Sequence, residues 1–165
     1  MKFDPGFARK YPNLVVWIAD NLPPVRHKPE VWEPFRRFGQ LTILEAESAI
    51  RVNRKDPVNG TDPEIDSMIV HRAFGMHRGL KRHEHKVFLA RWFCKDFEKK
   101  DPDKLFGTYI HKTLEATILH EFVHWGDWKR DHRRQPDIVI DGEKRDVGAQ
   151  FEQEAYGVVW ETINW

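Results

Sequence analysis

The stretch ATILHEFVHWGD, residues 116–127, places two histidines and a glutamate among apolar residues. The apolar residues are spaced as in a helix that packs against a hydrophobic core. His120 and His124 are four residues apart, so both imidazoles leave the same face of that helix, about one turn apart. Glu121 is the next residue around the helix and lies beside the imidazoles. Titratable side chains are unusual on a buried helix, so these three indicate a chemical function.

The spacing His-Glu-x-x-His supplies that reason, because it is typical of a zinc site in which the glutamate is the general base. Zinc lowers the pKa of a bound water towards about 7. Glu121 then accepts a proton from the zinc-bound water, which is the nucleophile, and passes it to the leaving amine. We therefore expect one Zn²⁺ per chain, held by His120 and His124, and peptide-bond hydrolysis with Glu121 as the catalytic residue.

A catalytic zinc needs a third protein ligand and one open position. A histidine ten residues after His120 would supply it in one class of enzyme, but Arg130 stands there. The candidates are therefore Glu152 and Glu154, in the predicted closing helix. Glu152 lies on the apolar stripe of that helix, where a carboxylate is costly unless it is paired or bound to a metal. We expect Glu152 to be the third ligand and Glu154 to be solvated.

Two further features leave alternatives open. Tyr156, one turn beyond Glu152, either orients a ligand or donates to a developing oxyanion, or is a core tyrosine with a satisfied hydroxyl. His77, His83 and His85 belong either to a second metal site or to a solvated basic loop, and we expect the loop.

Composition narrows the class of protein. The 165 residues favour one domain over 1–165, although the chain also fits a domain of a longer protein. A net charge of +1 gives no field that favours nucleic acid or an anionic membrane, so neither is expected as a partner. The one cysteine, Cys94, excludes an internal disulfide, and the N-terminal residues do not form a classical signal peptide.

The order of predicted elements is that of an α+β protein, mainly helical, with a small sheet beside the His-Glu-x-x-His helix. Gly126 is expected to end that helix, and a polar loop is expected to follow it. The predicted helices cover 11–22, 29–41, 42–52, 102–125 and 147–165, and the predicted strands cover 65–70 and 85–93.

The segments LHEFVHWGD (119–127) and FEQEAYG (151–157) resemble the metallopeptidase toxin domains at the C-termini of bacterial polymorphic toxins and type VI secretion spike proteins. The resemblance is clear over about residues 105–160. Such domains are zincins whose third ligand is a glutamate. The resemblance therefore implies a zincin-like fold, with the ligands and base named above in the same roles.

The resemblance also implies a biological setting: a secreted toxin or effector, delivered into a target cell by a specialised secretion system. Its substrate would be a peptide or protein, and its possible partners are a cognate immunity protein and a secretion spike protein. Two alternatives stay open, a cell-wall peptide endopeptidase or amidase and a non-catalytic zinc-stabilised binding module. The intact Glu121 argues against the binding module, because a purely structural zinc site does not need a base.

Overall fold

The computed structural model describes residues 1–52, 62–69, 73–79, 83–100, 109–140 and 142–160. The first half of the chain is mostly short helices, four of which begin with a proline at a position where no backbone N–H is needed. These elements are strand β1 (Lys2–Phe3), helices α1 (Pro5–Lys10) and α2 (Pro12–Asn21), a 3₁₀ helix (Pro23–His27), and helices α3 (Pro29–Phe38) and α4 (Ile43–Ile50).

The second half carries the sheet and the longest helix. Its elements are β2 (Glu64–Met68), β3 (Gly75–His77), β4 (Lys86–Ala90), α5 (Arg91–Glu98), α6 (Tyr109–Asp131), β5 (Ile138–Ile140), β6 (Glu143–Arg145) and α7 (Val147–Tyr156). The protein is therefore α+β and mainly helical, as the sequence predicts. Within the described residues, no helix is both long and apolar enough to cross a membrane.

The main sheet has the strand order β1-β2-β4-β3. β1, β2 and β4 run parallel, and β3 pairs antiparallel with β4 at one edge. The predicted strand over 85–93 is thus central, and it stops at Ala90 because α5 begins at the next residue. The edge strand β3 lies in a segment for which a loop was expected, and it packs along α6 together with β4.

Helix α6 is the centre of the fold. From Thr113 to Asp127 every side chain is buried, so the helix is covered on all sides. The apolar side chains of its motif, such as Leu119 and Phe122, are completely buried in a core shared with the helices of the first half. This burial fixes the rotation of α6 and therefore the direction in which its polar side chains point.

Several predicted boundaries are wrong, and the predicted start of the long helix at residue 102 lies outside the described residues. Gly126 does not end α6, which continues to Asp131. Gly126 lies instead where the helix passes the backbone carbonyl of Gly39 so closely that a Cβ would collide with it. The predicted loop over 127–146 contains the β5–β6 hairpin, and the closing helix ends at Tyr156, where Gly157 takes a left-handed conformation.

The segment between α6 and the hairpin is tied to the core by one carboxylate. Asp127 is buried and accepts hydrogen bonds from the Gln40 amide (2.9 Å), the Gln135 backbone N–H (2.9 Å) and the Gln135 amide (2.7 Å). Arg134 donates to the carbonyl of His77 at the end of β3, at 2.7 Å. These bonds fasten the segment that leads into the hairpin to α6 and to β3.

Replacing Gly126 by alanine tests the close approach of α6 to Gly39. Alanine ordinarily gains about 1 kcal/mol over glycine inside a helix. Here the added methyl group meets a backbone oxygen that cannot move cheaply, so we expect a net loss of about 1–3 kcal/mol in the free energy of unfolding. Urea denaturation in the presence of a chelator measures it, with the exposed Lys112→Ala on the same helix as the control. Unchanged stability of Gly126→Ala would contradict the packing described here.

Candidate metal centre

Helix α6 presents two imidazoles to one point, as the four-residue spacing predicts. His120 and His124 are 2 % and 8 % exposed, and their Nε2 atoms lie 3.2 Å apart. Two unprotonated ring nitrogens at that distance point lone pairs at each other, which is unfavourable unless a proton or a cation lies between them. Two nitrogens bound to one tetrahedral zinc at about 2.0–2.1 Å would be about 3.3 Å apart. The arrangement therefore fits a shared metal ion.

A carboxylate that the sequence analysis did not single out completes this group. Asp146 Oδ2 lies 3.2 Å from Nε2 of His124, and its Oδ1 lies 3.9 Å from Nε2 of His120. One ligand atom from each of the three residues lies within 4.8 Å of the other two. Among the described residues, no other group of three or more histidine, cysteine, aspartate or glutamate side chains has this spacing. We refer to it as the His-His-Asp group.

Local structure explains why Asp146 faces the imidazoles. Asp146 is the N-cap residue of α7, and its Oδ1 accepts a hydrogen bond from the backbone N–H of Ala149 at 2.8 Å. This bond fixes the side chain and leaves Oδ2 directed at His124. The signal for it in the sequence was an aspartate directly before the closing helix. Sequence reasoning missed it because only carboxylates within that helix were considered.

The electrostatics of the group suit metal binding. Burial lowers the pKa of His124, and this outweighs the hydrogen bond to Asp146, which raises it. Burial alone would raise the pKa of Asp146, but the hydrogen bond to His124 and the adjacent imidazoles hold it well below its usual range. The neutral imidazole and the ionised carboxylate are the forms in which these side chains bind a metal.

The predicted third ligand, Glu152, lies on the other side of the His120 ring. It is completely buried, and its Oε1 lies 3.0 Å from Nδ1 of His120 while its Oε2 accepts the backbone N–H of Trp160 at 2.6 Å. A carboxylate only accepts hydrogen bonds, so Nδ1 carries the proton and the Nε2 lone pair faces His124 and Asp146. Glu154 is exposed and forms an ion pair with Arg37, as expected for a solvated charge.

Close packing between α6 and the first turn of α7 holds this arrangement. Gly148 lies against the His120 imidazole so closely that a Cβ at Gly148 would collide with the ring. With Gly148 on one side and Glu152 at Nδ1, the ring has little freedom to turn. Its Nε2 is therefore held at the position from which it would bind an ion.

Glu121, the predicted base, is 2 % exposed and packs against edge strand β3. A Cβ built at Gly75 would lie 2.7 Å from Cγ and 2.9 Å from Oε1 of Glu121. The strand can pass this close only because residue 75 has no side chain. The carboxylate of Glu121 is thus confined between α6 and β3.

Two other predicted features take different roles. The hydroxyl of Tyr156 donates to Oε1 of Glu115 at 3.1 Å, and Lys28 binds the other oxygen of the same carboxylate at 2.8 Å. This satisfies the tyrosine within the fold, and its suggested part in catalysis stays a prediction. His77 is not solvated, contrary to expectation: it is buried in β3, and its Nε2–H donates to the carbonyl of Glu84 at 2.9 Å.

A cleft of about 370 Å³ opens onto the His-His-Asp group. We call it the basic cleft, because three of its lining side chains are cationic. Its wall also contains apolar residues of α7 and of the segment after it. The lining residues are His124, Arg134, Gln135, Asp137, Lys144, Arg145, Asp146, Val147, Ala149 and Val159.

Comparison with known proteins identifies the family of the chain. No curated protein and no solved structure gives a significant match to the chain. The family model of metallopeptidase toxin 3 matches residues 7–157, which include all of α6, the hairpin and α7. The match covers most of the chain, so the protein belongs to the metallopeptidase toxin 3 family and is a metallopeptidase, a hydrolase of peptide bonds.

Proposed function

We propose that this protein is a zinc-dependent peptidase in which His120, His124 and Asp146 hold the metal and Glu121 is the general base. The observation that carries the proposal is the convergence of two imidazole nitrogens and a carboxylate oxygen beside a buried glutamate. Three nitrogen and oxygen ligands with a fourth position open are typical of catalytic zinc. When bound, zinc would acidify a water molecule and polarise the scissile carbonyl.

Glu152 has a supporting role in this proposal. A histidine that binds zinc commonly donates its other ring N–H to a carboxylate, which fixes the tautomer and makes the ligand more basic. The 3.0 Å contact between Glu152 Oε1 and His120 Nδ1 supports that role. The alternative, in which Glu152 itself is the third ligand as the sequence predicts, requires the carboxylate to move around the imidazole.

Glu121 moves protons in the proposed reaction. Its carboxylate accepts a proton from the attacking water and donates it to the amine that leaves when the peptide bond breaks. Confinement between α6 and Gly75 restricts the carboxylate to few rotamers. This favours a base that must contact first the attacking water and then the nitrogen of the leaving amine. Burial also keeps competing water away from it.

The substrate chain has a natural binding edge in β3. Among the described strands, β3 pairs only with β4, so an extended peptide can pair along its other edge, where the His77 carbonyl already accepts a hydrogen bond from Arg134. Because Gly75 in this strand touches Glu121, a peptide paired along β3 would pass close to the base.

The family membership supports a wider proposal. The protein acts as a toxin on a protein substrate in a target cell, is delivered by a specialised secretion system such as type VI, and has a cognate immunity protein and a secretion spike protein as partners. One hydrophobic core contains described residues from Met1 to Ala155, which supports a single domain over 1–165. A cell-wall peptide substrate is the second candidate, and digestion of peptidoglycan without digestion of protein would favour it.

Replacing Glu121 by glutamine separates metal binding from chemistry. The change is nearly isosteric and leaves the His-His-Asp group intact, so the variant should keep one equivalent of zinc by mass spectrometry of the metal. Its rate of peptide hydrolysis should fall by about 10²-fold or more, since a general base contributes about 10²–10⁴-fold. Zinc bound with undiminished hydrolysis would rule out Glu121 as the base. Zinc bound by both proteins with hydrolysis by neither would favour a binding module.

The third ligand is tested by the pair Asp146→Asn and Glu152→Gln. Asparagine still caps α7, so the metal-free Asp146→Asn protein should be about as stable as the parent. Its zinc affinity should fall by about 10³-fold or more because an anionic ligand is lost. Glu152→Gln should lose only about 10–100-fold, the usual effect of a group that orients a ligand.

The exposed Glu154→Gln is the control for that pair, with expected affinity within a few-fold of the parent. Titration of zinc against a chelating indicator measures all three variants. If Asp146→Asn binds zinc like the parent and Glu152→Gln does not, Glu152 is the ligand and Asp146 only a helix cap.

Gly75→Ala tests the contact that confines Glu121. A methyl group at this position must displace the carboxylate, so hydrolysis should fall by about tenfold or more. Zinc content should not change, because Gly75 touches none of the metal ligands in the proposal. Gly148→Ala is the matched variant. Its methyl group collides with the His120 ring, so this variant, unlike Gly75→Ala, should lose zinc affinity. Equal loss of zinc in both variants would mean that they act through general destabilisation.

A further inference from the structure

The basic cleft has more positive charge than the His-His-Asp group requires. Arg134, Lys144 and Arg145 line it, and apart from Asp146 the lining contains one acidic residue, Asp137. Cations beside a metal site are electrostatically unfavourable, since they repel the ion that the site binds. Their presence calls for an anion that binds next to the metal centre.

The contacts of the three cations indicate how much of that charge is free. Arg145 is mostly buried and forms an ion pair with Glu143 at 2.5 Å, so its charge is largely compensated. Arg134 is bound to the carbonyl of His77, which orients the guanidinium but does not neutralise it. Lys144 is exposed in the middle of β6 and joins none of the ion pairs found among the described residues.

The position of these charges relative to the proposed metal ligands gives the anion a place in the substrate. His124 and Asp146 line the same cleft as Arg134 and Lys144. Arg134 also joins the cleft to the end of β3, the proposed binding edge for the substrate chain. When a substrate peptide crosses the metal centre, a substrate residue next to the bond that is cut therefore lies in the basic cleft.

We propose that the basic cleft is a specificity pocket for a carboxylate of the substrate, adjacent to the bond that is cut. The proposal rests on the proposed peptidase function. Guanidinium and ammonium groups are the usual partners of carboxylates in proteins. The carboxylate belongs either to an Asp or Glu side chain, which makes the enzyme an endopeptidase with an acidic preference, or to the C-terminus of the peptide, which makes it a carboxypeptidase.

Pools of synthetic decapeptides distinguish these sources. Every position except the fifth is randomised over uncharged residues. One pool has Asp or Glu at the fifth position and an amidated C-terminus, and a second has Asn or Gln there and the same amide. A third has Asn or Gln with a free C-terminal carboxylate. Retention is measured on immobilised, zinc-loaded Glu121→Gln protein, and cleavage is measured with the intact protein.

We expect a pool that carries a carboxylate to be retained about fivefold or more above the neutral amidated pool. The first pool is preferred if the pocket binds a side chain, and the third if it binds the chain terminus. The preference should weaken between 0.1 M and 1 M salt, since the screening length falls from about 10 Å to about 3 Å. Equal retention of all three pools overturns the proposal.

Charge-reversal variants test whether the basic cleft is the source of the preference for peptides that carry a carboxylate. Lys144→Glu should abolish it, and Arg134→Gln should reduce it. Lys95→Glu makes the same change in net charge on exposed α5, outside the cleft, and should leave it unchanged. Equal loss in Lys95→Glu and Lys144→Glu would show a general charge effect and overturn the proposal. Retention is measured without turnover, so failure to cleave any pool would count against the peptidase function and not against the pocket.

Discussion

The hydrogen bond between Glu152 and His120 is the interaction on which the rest of the site depends. It is completely buried, joins α6 to α7, and allows one tautomer of the imidazole. An isolated buried carboxylate would be costly, and here both oxygens have a partner, the His120 ring and the backbone N–H of Trp160. The same contact therefore holds two helices together and aims Nε2 of His120 at the other donors of the His-His-Asp group.

That contact is possible because of the way in which α7 begins. Asp146 caps the helix, and Gly148 lets its first turn approach the His120 ring. The carboxylate of Asp146 also lies at the positive end of the helix dipole, which favours its ionised form. One short segment thus combines a helix cap, a site of close packing and a donor atom of the His-His-Asp group, so a change in any of these affects the others.

The sequence predicts the parts of this structure that follow from local patterns. The helical spacing brings His120 and His124 together, and the apolar stripe of the closing helix correctly buries Glu152 and exposes Glu154. What depends on contacts between distant segments was not predictable. The continuation of α6 through Gly126 depends on the backbone of Gly39, and the short strand β3 is defined by its pairing with β4. Asp146 reads as an ordinary cap until the fold brings it to His124.

The short distance between the two imidazoles of α6 gives a physical reason for the deep burial of this helix. Two unprotonated imidazole nitrogens 3.2 Å apart are unfavourable by themselves, and they persist only where the surrounding structure fixes them. Burial of every residue of α6 from Thr113 to Asp127 supplies that fixation, together with the hydrogen bond from His120 to Glu152. Binding of a metal would then remove the repulsion and connect α6 to α7 through further bonds. The free energy of metal binding would thereby add to the stability of the contact between the two helices.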